Sequence, residues 1–122
     1  MTPMPNHHWV FRARALRVID GDTVDVEIDQ GLHCRRIERL RLLGVNTPEM
    51  QKPTREAGEA AKAFTSRWVV RDGLESDPFP LVIQTVKADV FGRYLADIWR
   101  LVDGEHLNEA LVEAGHAVRV GR

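Results

Sequence analysis

The stretch from Asp20 to Gly31, DGDTVDVEIDQG, constrains the fold more than any other part of the chain. Val24, Val26 and Ile28 alternate with Thr23, Asp25 and Glu27, the period of two that gives a strand one core face and one polar face. The dipeptides Asp20-Gly21 and Gln30-Gly31 close it at both ends, so the strand is short and the chain turns back on either side of it.

The same reasoning extends outward. Trp9 to Asp20 reads as a first strand of mixed apolar and Arg residues. His33 to Val45 reads as a third, whose apolar positions change parity around Ile37 and Leu40, which predicts a bulge. Between Pro53 and Gly73 the residues Ala57, Ala60, Ala61, Phe64 and Trp68 recur at three- and four-residue spacing, one face of a helix, with Thr54 as N-cap and Gly73 as the residue past its end. Leu81 to Val86 and Tyr94 to Val102 read as two further strands joined by the polar segment Lys87 to Arg93. Leu107, Ala110, Leu111 and Ala114 mark a short helix stopping at Gly115. The expected fold is therefore mainly β with helices (α+β): a five-stranded OB-type Greek-key barrel, with one helix between strands three and four and a short C-terminal helix.

A chain of 122 residues with 43% apolar content suits one compact domain. Residues 9–122 are read as that domain and residues 1–8 as a flexible tail, so the adjacent His7 and His8 are taken as tail residues rather than a metal pair. Seventeen Lys and Arg against eighteen Asp and Glu leave a formal charge of −1, so no global positive field attracts nucleic acid and any basic surface must be local. Arg12, Arg14, Arg17, Arg35, Arg36, Arg39 and Arg41 do crowd the first third, yet on composition alone solvated strand edges explain them better. Cys34 is the only cysteine, which excludes an intramolecular disulfide and a thiolate zinc site. No basic segment followed by an apolar run opens the chain, and no apolar stretch reaches membrane-spanning length. The expectation is a cytoplasmic protein without a membrane partner.

Three polar clusters lie at strand ends: Asp20-Gly21-Asp22-Thr23, RLLGVNTPE from Arg41 to Glu49, and DVFGR from Asp89 to Arg93. Each alone reads as a turn. Together they bring carboxylate and amide oxygens suited to a hard cation, two arginines suited to phosphate, and a further carboxylate able to take a proton. That combination fits metal-assisted phosphodiester hydrolysis.

In VIDGDTV (18–24), LRLLGVNTPE (40–49), DVFGRYLA (89–96) and LNEALVEAGHA (107–117) the chain resembles the micrococcal (staphylococcal, thermonuclease-like) nuclease family, with the motifs in the family's order. The resemblance implies a Ca2+-dependent nuclease acting on DNA and RNA and leaving 3′-phosphates. By position it makes Asp22 a calcium-ligating aspartate, Thr47 a calcium ligand through its carbonyl, Arg41 and Arg93 the phosphate-binding arginines, and Glu49 the general base. Phe91 falls in the substrate-binding loop before the second arginine, where the family carries a tyrosine. Asn46 stands where the family carries a second ligating aspartate; its amide oxygen can still bind calcium but brings no charge, so the ion is held more weakly or a different divalent metal is favoured. The tail AVRVGR lacks the family's nucleotide-pocket tyrosines, and the family's third helix is not expected.

The functional expectation is an endonuclease; the alternative is a catalytically weak or inactive nucleic-acid- or protein-binding module of the same fold. A structural or inhibitory protein has no positive feature to support it. Trp68 is expected in the core, whereas Trp9 and Trp99 are not placed. His33, His106 and His116 have no partner at ligand spacing. A monomer is expected, with a dimer as the alternative should apolar surface need covering. Guanidinium melts at two protein concentrations separate the two: the midpoint of a monomer does not move with concentration, and that of a dimer rises.

Overall fold

The computed structural model describes residues 9–70, 77–88 and 92–121. In chain order the elements are β1 (Val10–Asp20), β2 (Thr23–Asp29), β3 (Arg35–Leu42), β4 (Val45–Asn46), α1 (Arg55–Val69), β5 (Leu81–Ala88), β6 (Tyr94–Arg100), α2 (Leu107–Glu113) and β7 (Val118–Arg119). Five of the strands close a barrel in the order β1-β2-β3-β6-β5. Its neighbours are antiparallel except β3 and β6, which run parallel and seal it. This is the expected α+β barrel, with α1 between its third and fourth strands and α2 after its fifth. The separate β4–β7 pair was not foreseen, because two-residue strands carry no periodicity. Among the described residues no helix is long and apolar enough to cross a membrane. The tail 1–8, Gly73 and Phe91 lie outside the described residues.

Strand alternation builds the core. Val24, Val26 and Ile28 of β2 face inward with Ala13, Leu40, Leu42, Leu81, Ile83, Ala96 and Ile98 from the other barrel strands. The bulge expected in β3 is absent: its register with β2 runs unbroken from Thr23↔Arg41 to Asp29↔Arg35. Ile37 is 66% exposed, so the parity never changes; an apolar residue simply stands on the outer face. Irregularities lie instead in β5, between Val86 and Ala88, and in β1, between Ala15 and Arg17 and between Val18 and Asp20. In β1 one long strand serves both β2 and β5 and must bend to do so.

Helix α1 buries Gly58, Ala61, Thr65, Trp68 and Val69, a face turned from the expected one, since Ala57 and Ala60 are exposed and Phe64 only half-buried. Close backbone approach sets that rotation. A Cβ on Gly58 would lie 2.5 Å from the Glu49 carbonyl oxygen, and one on Gly21 would lie 2.8 Å from the Ala61 Cβ. The Thr65 hydroxyl donates to the Gly21 carbonyl at 2.7 Å, fixing the helix over the β1–β2 turn. Thr54 stands at the N-cap without a cap hydrogen bond; its hydroxyl donates to the Glu49 carbonyl at 2.9 Å instead. At the far end of α1, Trp68 is buried as expected. Its Nε1–H donates to Glu105 at 2.8 Å, and the buried Arg100 guanidinium sits 4.6 Å from its ring centre, paired with Asp103 and Glu105. Helix α2 ends as the sequence suggests, with Gly115 at φ 81°, the left-handed residue that closes a helix.

The arginine crowd of the first third is largely a set of ion pairs. Arg14 meets Glu27 at 2.6 Å and Arg39 meets Asp25 at 2.7 Å, both directly opposite across strand pairs. Arg36 pairs with Glu38 and Arg12 with Asp77, while Arg35 covers the Phe79 ring. Such cross-strand pairs stabilise a sheet modestly.

Two outcomes follow. The Arg39 hydrogen bond, then its charge, hold the Asp25 carboxyl below its ordinary value of 3.8. A carboxylate depressed in the folded state stabilises the fold above that ordinary value, and the contribution is lost as pH falls through the folded one. In urea melts, R39Q is therefore slightly less stable than the parent at pH 7, as for other exposed pairs, and the two converge in acid. G58A, forced against the Glu49 carbonyl, lowers stability at any pH by about 1–3 kcal/mol.

Candidate active site

The site grows from the closed end of the barrel, beneath α1. Thr23 and Arg41 are direct partners across β2 and β3, and the Asp22 carbonyl accepts the Leu42 N–H at 2.8 Å, so the β1–β2 turn and the end of β3 meet. The chain then reverses through Gly44, at φ 77°, into β4. That turn is held from behind: Leu43 N–H donates to the Ala96 carbonyl and Val120 N–H to the Gly44 carbonyl, both at 2.9 Å. Asn108 of α2 adds a clamp, donating from Nδ2 to the carbonyls of Leu43 at 3.0 Å and Ala96 at 3.1 Å while its Oδ1 accepts Ile98 N–H at 3.2 Å.

Asp22 is only 7% exposed, and a buried carboxylate needs partners. Its Oδ2 accepts the Thr47 backbone N–H at 3.2 Å and lies 3.3 Å from Arg41 Nη1; its Oδ1 accepts the Thr23 hydroxyl at 3.1 Å. Arg41 Nη1 also donates to the carbonyls of Leu42 at 3.2 Å and Val45 at 3.1 Å, and Nη2 donates to Asn46 Oδ1. The guanidinium thus bridges the carboxylate and the amide that the sequence marks as candidate ligands.

Asp22, Arg41, Asn46 and Thr47 therefore stand together. Glu49 lies two residues beyond Thr47, exposed at the rim, its backbone carbonyl held by Thr54. Arg93 is half-buried just before β6. Because Leu40 pairs with Tyr94 and Arg41 with Leu95, it enters from the strand beside Arg41, two positions before that residue's neighbour. Phe91, the remaining candidate, lies outside the described residues.

The Asp22 carboxylate and the Asn46 amide oxygen both meet Arg41, and with the Thr47 carbonyl that the sequence marks they would make an all-oxygen donor set, the kind a hard cation takes. Among the described residues no group of three or more His, Cys, Asp or Glu is placed to hold a metal, so a cation here would draw on neutral oxygens as well as the Asp22 carboxylate. Sequence reading took Gly21 only as a turn residue and missed three others that hold this arrangement in place: Gly58, Thr65 and Asn108. A glycine inside a helix and a buried amide on an apolar helix face were the available signals. His106, which has no partner at metal-ligand spacing in the sequence, has its Nε2 2.9 Å from Asp97 Oδ1 and its ring stacked on Trp99 at 4.9 Å.

Residues 39–121 match the family model described as staphylococcal nuclease homologue. The chain is 38% identical to a thermonuclease of Staphylococcus intermedius over 106 residues, 83% of this chain and 55% of that protein. It is 34% identical to a thermonuclease of Staphylococcus hyicus over 107 residues, 85% and 56% of the two. Similarity extends to Protein ParB of Escherichia coli, 27% identical over 114 residues, 88% of this chain and 56% of that one. The chain spans about half the length of the curated relatives it matches. With the family model covering more than half of its residues, and the barrel and motif order in agreement, the chain belongs to the staphylococcal nuclease homologue family.

Proposed function

We propose that this chain is a metal-dependent nuclease that hydrolyses phosphodiester bonds of DNA or RNA, cutting internally and leaving 3′-phosphate and 5′-hydroxyl ends. The observation that carries this reading is the convergence of Asp22, Arg41, Asn46 and Thr47 from three separate chain segments onto one oxygen-rich spot.

Arg41 and Arg93 grip the phosphate, each fork able to meet two oxygens at once. The hydrogen bonds from Arg41 to Leu42, Val45 and Asn46 fix its position before substrate arrives, which lowers the reorganisation needed as charge grows on the phosphate. Glu49, exposed at the rim, accepts a proton from the attacking water. The water oxygen bonds to phosphorus as the bond to the 5′ oxygen breaks, and Arg93 stabilises the departing oxygen. Asp22, Asn46 and the Thr47 carbonyl would hold Ca2+. When bound, that ion supplies positive charge to the phosphate in the transition state.

One observation favours the binding-module alternative. Arg41 donates to both Asp22 and Asn46, so a metal cation must share those oxygens with a resident guanidinium, and Asn46 adds no charge to help it. This makes the metal requirement the discriminating measurement. Protein incubated with single-stranded DNA or RNA and calcium, magnesium or a chelator is expected to cut only with metal, giving 3′-phosphate ends. Binding without cutting at millimolar calcium hands the protein to the second reading. In the same assay R41A is expected to lose on the order of 10²–10³ in turnover and E49A about 10²–10⁴; turnover unchanged in E49A would remove Glu49 from the mechanism. N46D restores a ligand charge and should lower the half-saturating calcium concentration about tenfold.

A further inference from the structure

The geometry points to the open mouth of the barrel as a nucleobase-binding subsite, which takes one base of the strand whose phosphate meets Arg41 and Arg93; it rests on the nuclease reading above. The mouth lies at the end of the barrel away from α1, where β1, β3 and β6 begin and β2 and β5 end. It encloses about 350 Å³, walled by Trp9, Phe11 and Tyr94, with Gln30, Arg36 and Glu38 among its polar lining. That volume is at the small end of the range for small-molecule sites, roughly 300–1,000 Å³, and suits a single base with its sugar.

The lining has the chemistry of base recognition. Trp9 is 64% exposed and sits at φ 59°, a left-handed conformation rare for a bulky residue. It is held there because its carbonyl accepts the Thr85 N–H at 3.0 Å. An exposed indole at the mouth offers a stacking platform. Arg36, ion-paired to Glu38, lies 5.8 Å from the centre of the Tyr94 ring, so a guanidinium, a carboxylate and the Gln30 amide offer donors and acceptors to a base edge.

The mouth and the phosphate site share two strands, β3 and β6. Tyr94 follows Arg93 directly, and Leu40, which lines the mouth, directly precedes Arg41. The pairing of β6 with β3 begins at Leu40, so among the described residues the flank of β3 from residue 35 to 39 carries no β6 partner. The bound nucleic-acid strand then runs along β3 and β6, between Arg41 and the mouth. With Arg12, Arg14, Arg36 and Arg39 all engaged by carboxylates and a net charge of −1, general attraction to phosphates is weak. Stacking in the mouth then supplies affinity that charge does not.

The test uses hexathymidylate in excess chelator, which prevents cutting, with binding read by fluorescence anisotropy of a label on the oligonucleotide. W9A is expected to bind it at least about fivefold more weakly, the size of one lost base stack, and W9F to recover most of the affinity. An abasic residue placed at each position in turn should cost the parent a similar factor at one position, and that penalty should vanish in W9A. Equal binding by W9A and parent, or the same abasic penalties in both, overturns the subsite. R41A is run alongside: weakened binding by R41A with an unaffected W9A overturns the subsite and leaves the phosphate site standing. Weakened binding by W9A with an unaffected R41A supports a base in the mouth and breaks its link to Arg41.

Discussion

Much of this structure is arranged around the burial of one carboxylate. Asp22 is almost wholly withdrawn from water and is matched by the Thr23 hydroxyl, the Thr47 amide and the Arg41 guanidinium. Removing one member of a buried charged set leaves the other charge uncompensated, at a cost of about 3–5 kcal/mol. The β1–β2 turn, the end of β3 and the loop after β4 are therefore joined at one point. Helix α1 completes the joint because Gly21 and Gly58 lack the Cβ atoms that would hold it off, while Thr65 and Thr54 bond to the turn and the loop beneath it.

Positive charge has different work in different parts of the molecule. On the barrel wall, arginines face carboxylates across neighbouring strands and are neutralised where they stand. Arg100 is a structural cation, 3% exposed, held by Asp103 and Glu105 against Trp68. Arg41 is set apart by its surroundings: among the described residues its partners besides Asp22 are neutral oxygens, and it stands where the family motifs meet. A count of arginines could not separate these cases, since the distinction lies in which acid each one faces.

Local signals were read well where the physics is local. The period of two in β2 and the glycine turns around it fix a strand through side-chain alternation and backbone freedom, and α1 and α2 followed from spacing in the same way. The face of α1 did not. Alanines score as apolar wherever they fall, yet Ala57 and Ala60 are exposed while Gly58 and Thr65 are buried, because the approach of two backbones decides which side turns inward. Ile37 misled for a related reason: apolar residues also occupy surfaces, and its exposure shows only once β3 is paired. The contact of His106 with Asp97, nine positions apart, depends on how α2 folds back on β6.

By itself the sequence determined the strand and helix order, the barrel class and the family motifs, since these rest on periodicity, turn chemistry and residue identity within short windows. Tertiary structure alone decided that Asp22 and Thr47, 25 positions apart, share a hydrogen bond, that Arg41 bridges Asp22 to Asn46, and that the barrel leaves an aromatic mouth at the end away from α1. Those contacts arise from the closure of β3 against β6 and the seating of α1 on two glycines, which depend on the whole chain having found its topology.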